Sequence, residues 1–136
     1  MTMSRTVGVV VLLALGVAAS GCGSSTPASP TTPTPTSPVT ETWTGIVGPG
    51  GTASHSFSAT LSGNLTVTLT SSDAPLGLGL GVPRSVNGGC RLTTSQVDAP
   101  GLTVSIPADA GSYCVQVFDD GAVVKQAAFA VQIVHP

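Results

Sequence analysis

After residue 41, apolar and polar side chains alternate along most of the chain with a period of two. Leu65, Val67 and Leu69 interleave with Thr66, Thr68 and Thr70. Successive side chains of an extended strand point to opposite faces, so the first set faces a core and the threonines face water. The same rule turns Leu102, Val104 and Ile106 inward, with Tyr113, Val115 and Val117, and then Ala127, Phe129, Val131 and Ile133. The pattern predicts eight strands: Thr42 to Val47, Ala53 to Thr60, Leu65 to Ser71, Leu76 to Val82, Arg91 to Thr94, Leu102 to Ile106, Ser112 to Phe118 and Val124 to Val134. Gly, Pro, Asn and Asp clusters separate them, and Gly48-Pro49-Gly50-Gly51 reads as a turn. No stretch after residue 22 spaces its apolar residues as a helix would. The expected fold class is all-β, with two packed sheets. All five aromatics, Trp43, Phe57, Tyr113, Phe118 and Phe129, fall on these strands, which leaves the rest of the core aliphatic and small.

The first residues follow a different pattern. Val7 to Ala19 is continuously apolar, with Arg5 ahead of it. Its 13 residues are too few for a membrane span, which needs about 20, but suit the apolar region of a signal peptide. The segment ends in Val17-Ala18-Ala19-Ser20-Gly21-Cys22-Gly23, which resembles the lipobox of bacterial lipoproteins, with Ala19 where the commonest family residue is Leu. The resemblance implies a diacylglycerol on the Cys22 thiol, removal of residues 1–21, and attachment to the membrane through Cys22. It also implies the bacterial cell envelope as location, and the outer membrane where two membranes exist, since Asp is absent from position 23. A pair of acyl chains supplies the two signals that stable anchoring requires.

Residues 22–40 are a tether in this reading. Pro27, Pro30, Pro33, Pro35 and Pro38 stand among serines and threonines without apolar periodicity. Proline favours extended polyproline II, so the tract reaches on the order of 50 Å at about 3.1 Å per residue. Residues 41–136 then form one domain of ordinary size for a β-sandwich.

Composition narrows the partners. Charged residues are 7% of the chain and hydrophobic ones 41%, which argues for a packed domain over charge-driven disorder. Without the signal peptide, Arg84, Arg91 and Lys125 stand against Glu41, Asp73, Asp98, Asp109, Asp119 and Asp120, a net charge of -3. Nucleic acid is not an expected partner, because phosphate backbones are bound by clusters of Lys and Arg. With Cys22 lipidated, the remaining two of three cysteines, Cys90 and Cys114, are left as a disulfide pair. A loop of this length stabilises a fold by roughly 3.5 kcal/mol on the chain-entropy model. A metal site or reactive thiol is the alternative, but ligands at close spacing are lacking.

The strand region is similar to the bacterial pre-peptidase C-terminal domain family. The residues that carry the likeness are Gly50-Gly51-Thr52-Ala53-Ser54-His55-Ser56-Phe57, Gly63-Asn64-Leu65-Thr66-Val67-Thr68-Leu69 and Ala110-Gly111-Ser112-Tyr113-Cys114-Val115-Gln116-Val117. The resemblance implies a small jelly-roll-like β-sandwich, non-catalytic, with Phe57 and Tyr113 in the core. Some members bind calcium or polymers. The acidic cluster that calcium would need at the start of the domain is missing, so no metal or other cofactor is expected.

Other motifs have plainer meanings. Gly77, Gly79 and Gly81 give GxGxG without the third glycine of a dinucleotide fingerprint, and Pro83 stops the helix that should follow; a closely packed strand is the expectation. Asp119-Asp120-Gly121 reads as a hairpin turn, and Asp73-Ala74-Pro75 and Asp98-Ala99-Pro100 read as strand-entry turns. His55 shares the parity of Phe57, while His135 is expected at a frayed end, and a GxSxG nucleophile elbow is not present. The expected function is a lipid-anchored, non-catalytic module that binds or spaces protein or polysaccharide at the envelope. The alternative is an accessory domain of an enzyme system or a cryptic hydrolase.

Overall fold

A computed structural model of the chain describes residues 37–86, 88–97 and 101–136. The signal peptide, Cys22, most of the tether, and Asp98-Ala99-Pro100 lie outside the described residues. Among the described residues eight strands follow one another: β1 (Val39–Val47), β2 (Thr52–Ala59), β3 (Gly63–Ser72), β4 (Gly77–Pro83), β5 (Cys90–Gln96), β6 (Thr103–Ala108), β7 (Gly111–Phe118) and β8 (Ala127–His135). They form two four-stranded antiparallel sheets, ordered β1-β8-β3-β6 and β2-β7-β4-β5. This is the strand order of a jelly roll, two interlocked Greek keys.

The alternation read from sequence sets the faces. Leu65, Val67, Leu69, Val104, Val115, Val117, Phe129, Val131 and Ile133 are buried between the sheets, with Leu78 and Leu80 from β4. Burial of a Leu or Ile side chain contributes roughly 1.5–3 kcal/mol, so this aliphatic layer is the main source of stability. Phe57 belongs to the core, and Tyr113 packs at its margin with the two ring centroids 6.1 Å apart. Pairing with β8 starts at Val39, opposite His135, two residues before the domain start read from the pattern.

The glycines of β4 have the close-packing role expected of them. Leu78 and Leu80 point into the core, so Gly77 and Gly79 face outward. A methyl group at Gly77 would meet the Phe118 ring, and one at Gly79 would lie 2.6 Å from Leu92 Cδ1. Leu92 and Phe118 thus lie directly on the strand backbone, covering the outer side of the second sheet. Close approach is what glycine in a strand permits.

The segment after β7 departs from the hairpin expectation. β7 and β8 lie in different sheets, so residues 119–126 are a crossover between layers. Asp119 organises this crossover instead of a tight reversal. Its carboxylate accepts the N–H of Gly121, Ala122 and Val123 at 2.8, 2.8 and 3.0 Å, and that of Gly50 in the β1–β2 turn at 2.7 Å. Gly121 has a φ of 99°, a backbone shape that glycine adopts readily. Asp73-Ala74-Pro75 does lie in the bend that leads from β3 into β4, and Asp73 there exchanges hydrogen bonds with Ala128 of β8, at 3.0 and 3.2 Å.

Candidate functional site

Cys90 and Cys114 are joined as a disulfide, with their Cα atoms 5.8 Å apart. Cys90 opens β5 and Cys114 lies in β7, where the pairing of β4 with β7 ends at Gly81↔Cys114. The bridge therefore ties β5 to β7 across the end of that ladder. Cys114 is on the outward parity of its strand but is fully buried, so the bridge is structural and not an exposed reactive thiol.

Both histidines converge on one carboxylate. His135 is not frayed: it is the last residue of β8, only 4% exposed, and its Nε2 lies 3.1 Å from Glu41 Oε1. Its Nδ1 is 3.3 Å from the Pro136 carbonyl oxygen. His55 Nε2 lies 3.6 Å from the other Glu41 oxygen. Trp43 stacks on His55 with centroids 5.4 Å apart and 19° between planes, while Phe57 lies 5.3 Å from the His135 ring. The group closes the sandwich where the edge strands β1 and β2 meet. Among the described residues, no group of three or more His, Cys, Asp or Glu is arranged to hold a metal ion. The sequence alone puts His55 in a strand and His135 at a frayed end, with nothing to join either to Glu41. The available signal was parity, since Glu41 shares that of Trp43, His55 that of Phe57, and His135 that of Ile133.

The acidic end of the crossover is a second electrostatic feature. The Gly50 and Val123 N–H groups hold the Asp119 carboxyl below the usual carboxylate range; slight desolvation opposes this, and Gly121 and Ala122 add to it. Four donors on one carboxylate leave it little capacity for a ligand.

The outer face of the β1-β8-β3-β6 sheet has a different character. Its outward side chains are Thr40, Thr42, Thr44 and Ile46 on β1, and Ala128, Ala130, Gln132 and Val134 on β8. β3 contributes Asn64, Thr66, Thr68, Thr70 and, beyond a bulge, Ser71, and β6 contributes Thr103, Ser105 and Pro107. None of these residues is charged. The register sets them in straight rows across all four strands: Thr42, Gln132, Thr68, Thr103 in one, and Thr40, Val134, Thr66, Ser105 in the next. Within the rows the Thr66 and Ser105 hydroxyls are 2.8 Å apart, and those of Thr68 and Thr103 are 3.1 Å apart. Neighbouring strands lie about 4.7–4.9 Å apart and i, i+2 positions about 6.5–7 Å apart, so the face is a regular polar lattice.

No protein-family model matches the chain, and no curated protein matches it. Among solved structures, the Yersinia pseudotuberculosis-derived mitogen is similar, with a TM-score of 0.53 and 15% sequence identity, over 73% of this chain and 87% of that one. At that identity the likeness concerns the fold: the mitogen shares the sandwich architecture.

Proposed function

We propose that this chain is a lipid-anchored, non-catalytic module of the bacterial envelope that binds a protein or polysaccharide through the outer face of its β1-β8-β3-β6 sheet. The lipobox-like stretch around Cys22 supports the anchor, and the proline-rich tract after it holds the domain away from the lipid. The observation that carries the binding surface is the uncharged polar row Thr42, Gln132, Thr68, Thr103, which runs unbroken across four strands. Such a face offers hydrogen bonds without a reactive group. The titratable residues of the edge cluster are engaged with one another: Glu41 faces both imidazoles, and the aromatic rings of Trp43 and Phe57 pack on them.

The test is site-specific photo-crosslinking in intact cells. A crosslinker at Thr68, on the lattice, should capture a partner, whereas one at Ser54, outward on the opposite sheet, should not. Equal capture from both positions would argue against this face. Metabolic labelling with a palmitate analogue should mark the wild type and not Cys22→Ser; equal labelling would remove the anchor from the proposal.

A further inference from the structure

Hydroxyl protons on the lattice are not distributed evenly. A serine or threonine hydroxyl has one proton to donate and two lone pairs to accept with. Ser105 donates its proton to the Leu65 carbonyl at 2.9 Å, so the proton between Ser105 and Thr66 must come from Thr66. Thr103 lies 3.1 Å from the Thr68 hydroxyl and 3.4 Å from the Gly101 carbonyl, so at most one proton of the Thr68–Thr103 pair is left for solvent. Thr70 donates to the Ala130 carbonyl at 3.1 Å. At least four of these five central hydroxyls thus spend their protons inside the protein, and what the two central rows turn to solvent is chiefly lone pairs. Donors lie around them: Asn64 and Ser71 near the two ends of β3, Gln132 with its amide NH₂ on β8, and Thr40, Thr42 and Thr44 on the edge strand.

We infer that this face recognises a neutral, hydroxyl-rich glycan chain and discriminates against anionic polymers, an inference that rests on the binding role proposed above for the same face. A sugar hydroxyl can donate to the lone pairs of Thr66, Thr68, Thr70, Thr103 and Ser105, and can accept from Gln132. A sulfate, phosphate or carboxylate has only acceptors to offer. Over the central rows of the β3–β6 half, Thr66 with Ser105 and Thr68 with Thr103, it meets mostly oxygen facing oxygen, loses its hydration and gains at most one donor in return. No cation on the face offsets this. A lipid surface or an apolar protein partner is disfavoured for a different reason: the large aromatic side chains that anchor such contacts are packed on or between the sheets and not on this lattice.

The full chain carrying Cys22→Ser is tested for retention on three insoluble neutral glycans, cellulose, chitin and amylose, and on heparin beads. High salt is used so that the net negative charge of the domain does not decide the result. Retention on at least one neutral glycan is expected, with none on heparin. In Thr66→Val/Thr68→Val, which keeps side-chain shape, retention should weaken by roughly tenfold or more, because two acceptor sites are lost. Thr66→Ser/Thr68→Ser should retain it, and the melting temperatures of both variants verify that they are folded. Three results would overturn the inference: no retention on any of the three neutral glycans, retention on heparin at high salt, or undiminished glycan retention by the folded valine variant. If a crosslinker at Thr68 still captures a partner in cells while the glycans fail, the binding role survives and the glycan assignment does not. If the crosslinker captures nothing while a neutral glycan is retained through sites other than Thr66 and Thr68, the face itself is wrong.

Discussion

Gly45 lies against the ring of Phe129, so close that a methyl group built on it would be 2.6 Å from the ring Cζ. Phe129 is 3% exposed and has Trp43 on its edge at a centroid distance of 4.8 Å, so the ring has nowhere to retreat. Gly45→Ala is therefore expected to destabilise the domain by about 1–3 kcal/mol, the usual cost of overpacking. Gly79→Ala makes an equally short contact, but with the end of the half-buried Leu92 side chain, which can turn away. Urea unfolding of both variants should rank Gly45→Ala as the more damaging, and the reverse order would contradict the packing described.

Removing the disulfide should be the largest single loss. The bridge closes a loop with a sequence separation of 24. Cys114→Ala is expected to cost about 3.5 kcal/mol, or roughly 14–28 °C in melting temperature at about 4–8 °C per kcal/mol. Mass spectrometry of non-reduced peptides should find Cys90 joined to Cys114.

Asp119 links two loops that are far apart in sequence, and the consequence depends on pH. Its folded-state pKa is lowered, chiefly by the Gly50 N–H and then the Val123 N–H. A depressed carboxylate contributes stability that is fully present above its unfolded-state value of about 3.9 and is lost as the pH falls through the folded value. Wild type should therefore exceed Asp119→Asn in melting temperature at neutral pH, and the gap should close as the pH drops below about 4. A gap that stays constant from neutral pH to strong acid would show that the charge is irrelevant.

Glu41→Ala removes the acceptor that faces the buried His135 ring. Leaving a buried donor unpaired costs about 1–3 kcal/mol, so thermal unfolding should register the loss. His55→Ala should cost less, since its 3.6 Å approach to Glu41 is longer and its side chain is 36% exposed.

The eight strands were legible because each buries one face, and alternation marks that face whatever the partner. Their ends were less so. Val39 and Thr40 look like tether, and become strand because β8 extends far enough to pair with them. The same limit hid the edge cluster: Glu41 and His135 are 94 positions apart, and only the β1–β8 pairing makes them neighbours. Asp-Asp-Gly carries the local signal of a hairpin, but β7 and β8 are drawn into opposite sheets, and long-range pairing overrides the dipeptide. The polar lattice was half visible. Thr66, Thr68 and Thr70 were assigned to water from alternation, but the rows they share with Gln132, Thr103 and Ser105 needed the register.

The strand order also bears on how quickly the domain assembles. Only β4 and β5 are neighbours both along the chain and within a sheet; every other connection between consecutive strands passes from one layer to the other. A single hairpin can therefore form locally, and each remaining ladder has to wait until a long loop has closed. Stopped-flow refolding should place this domain in the millisecond-to-second range of all-β proteins. A chain that emerges unfolded would then expose the apolar faces of its unpaired strands for that whole interval. Delay of this kind makes β3 and β8, the longest strands without Asp, Glu, Lys or Arg, the segments most open to mispairing with a second chain before the layers meet.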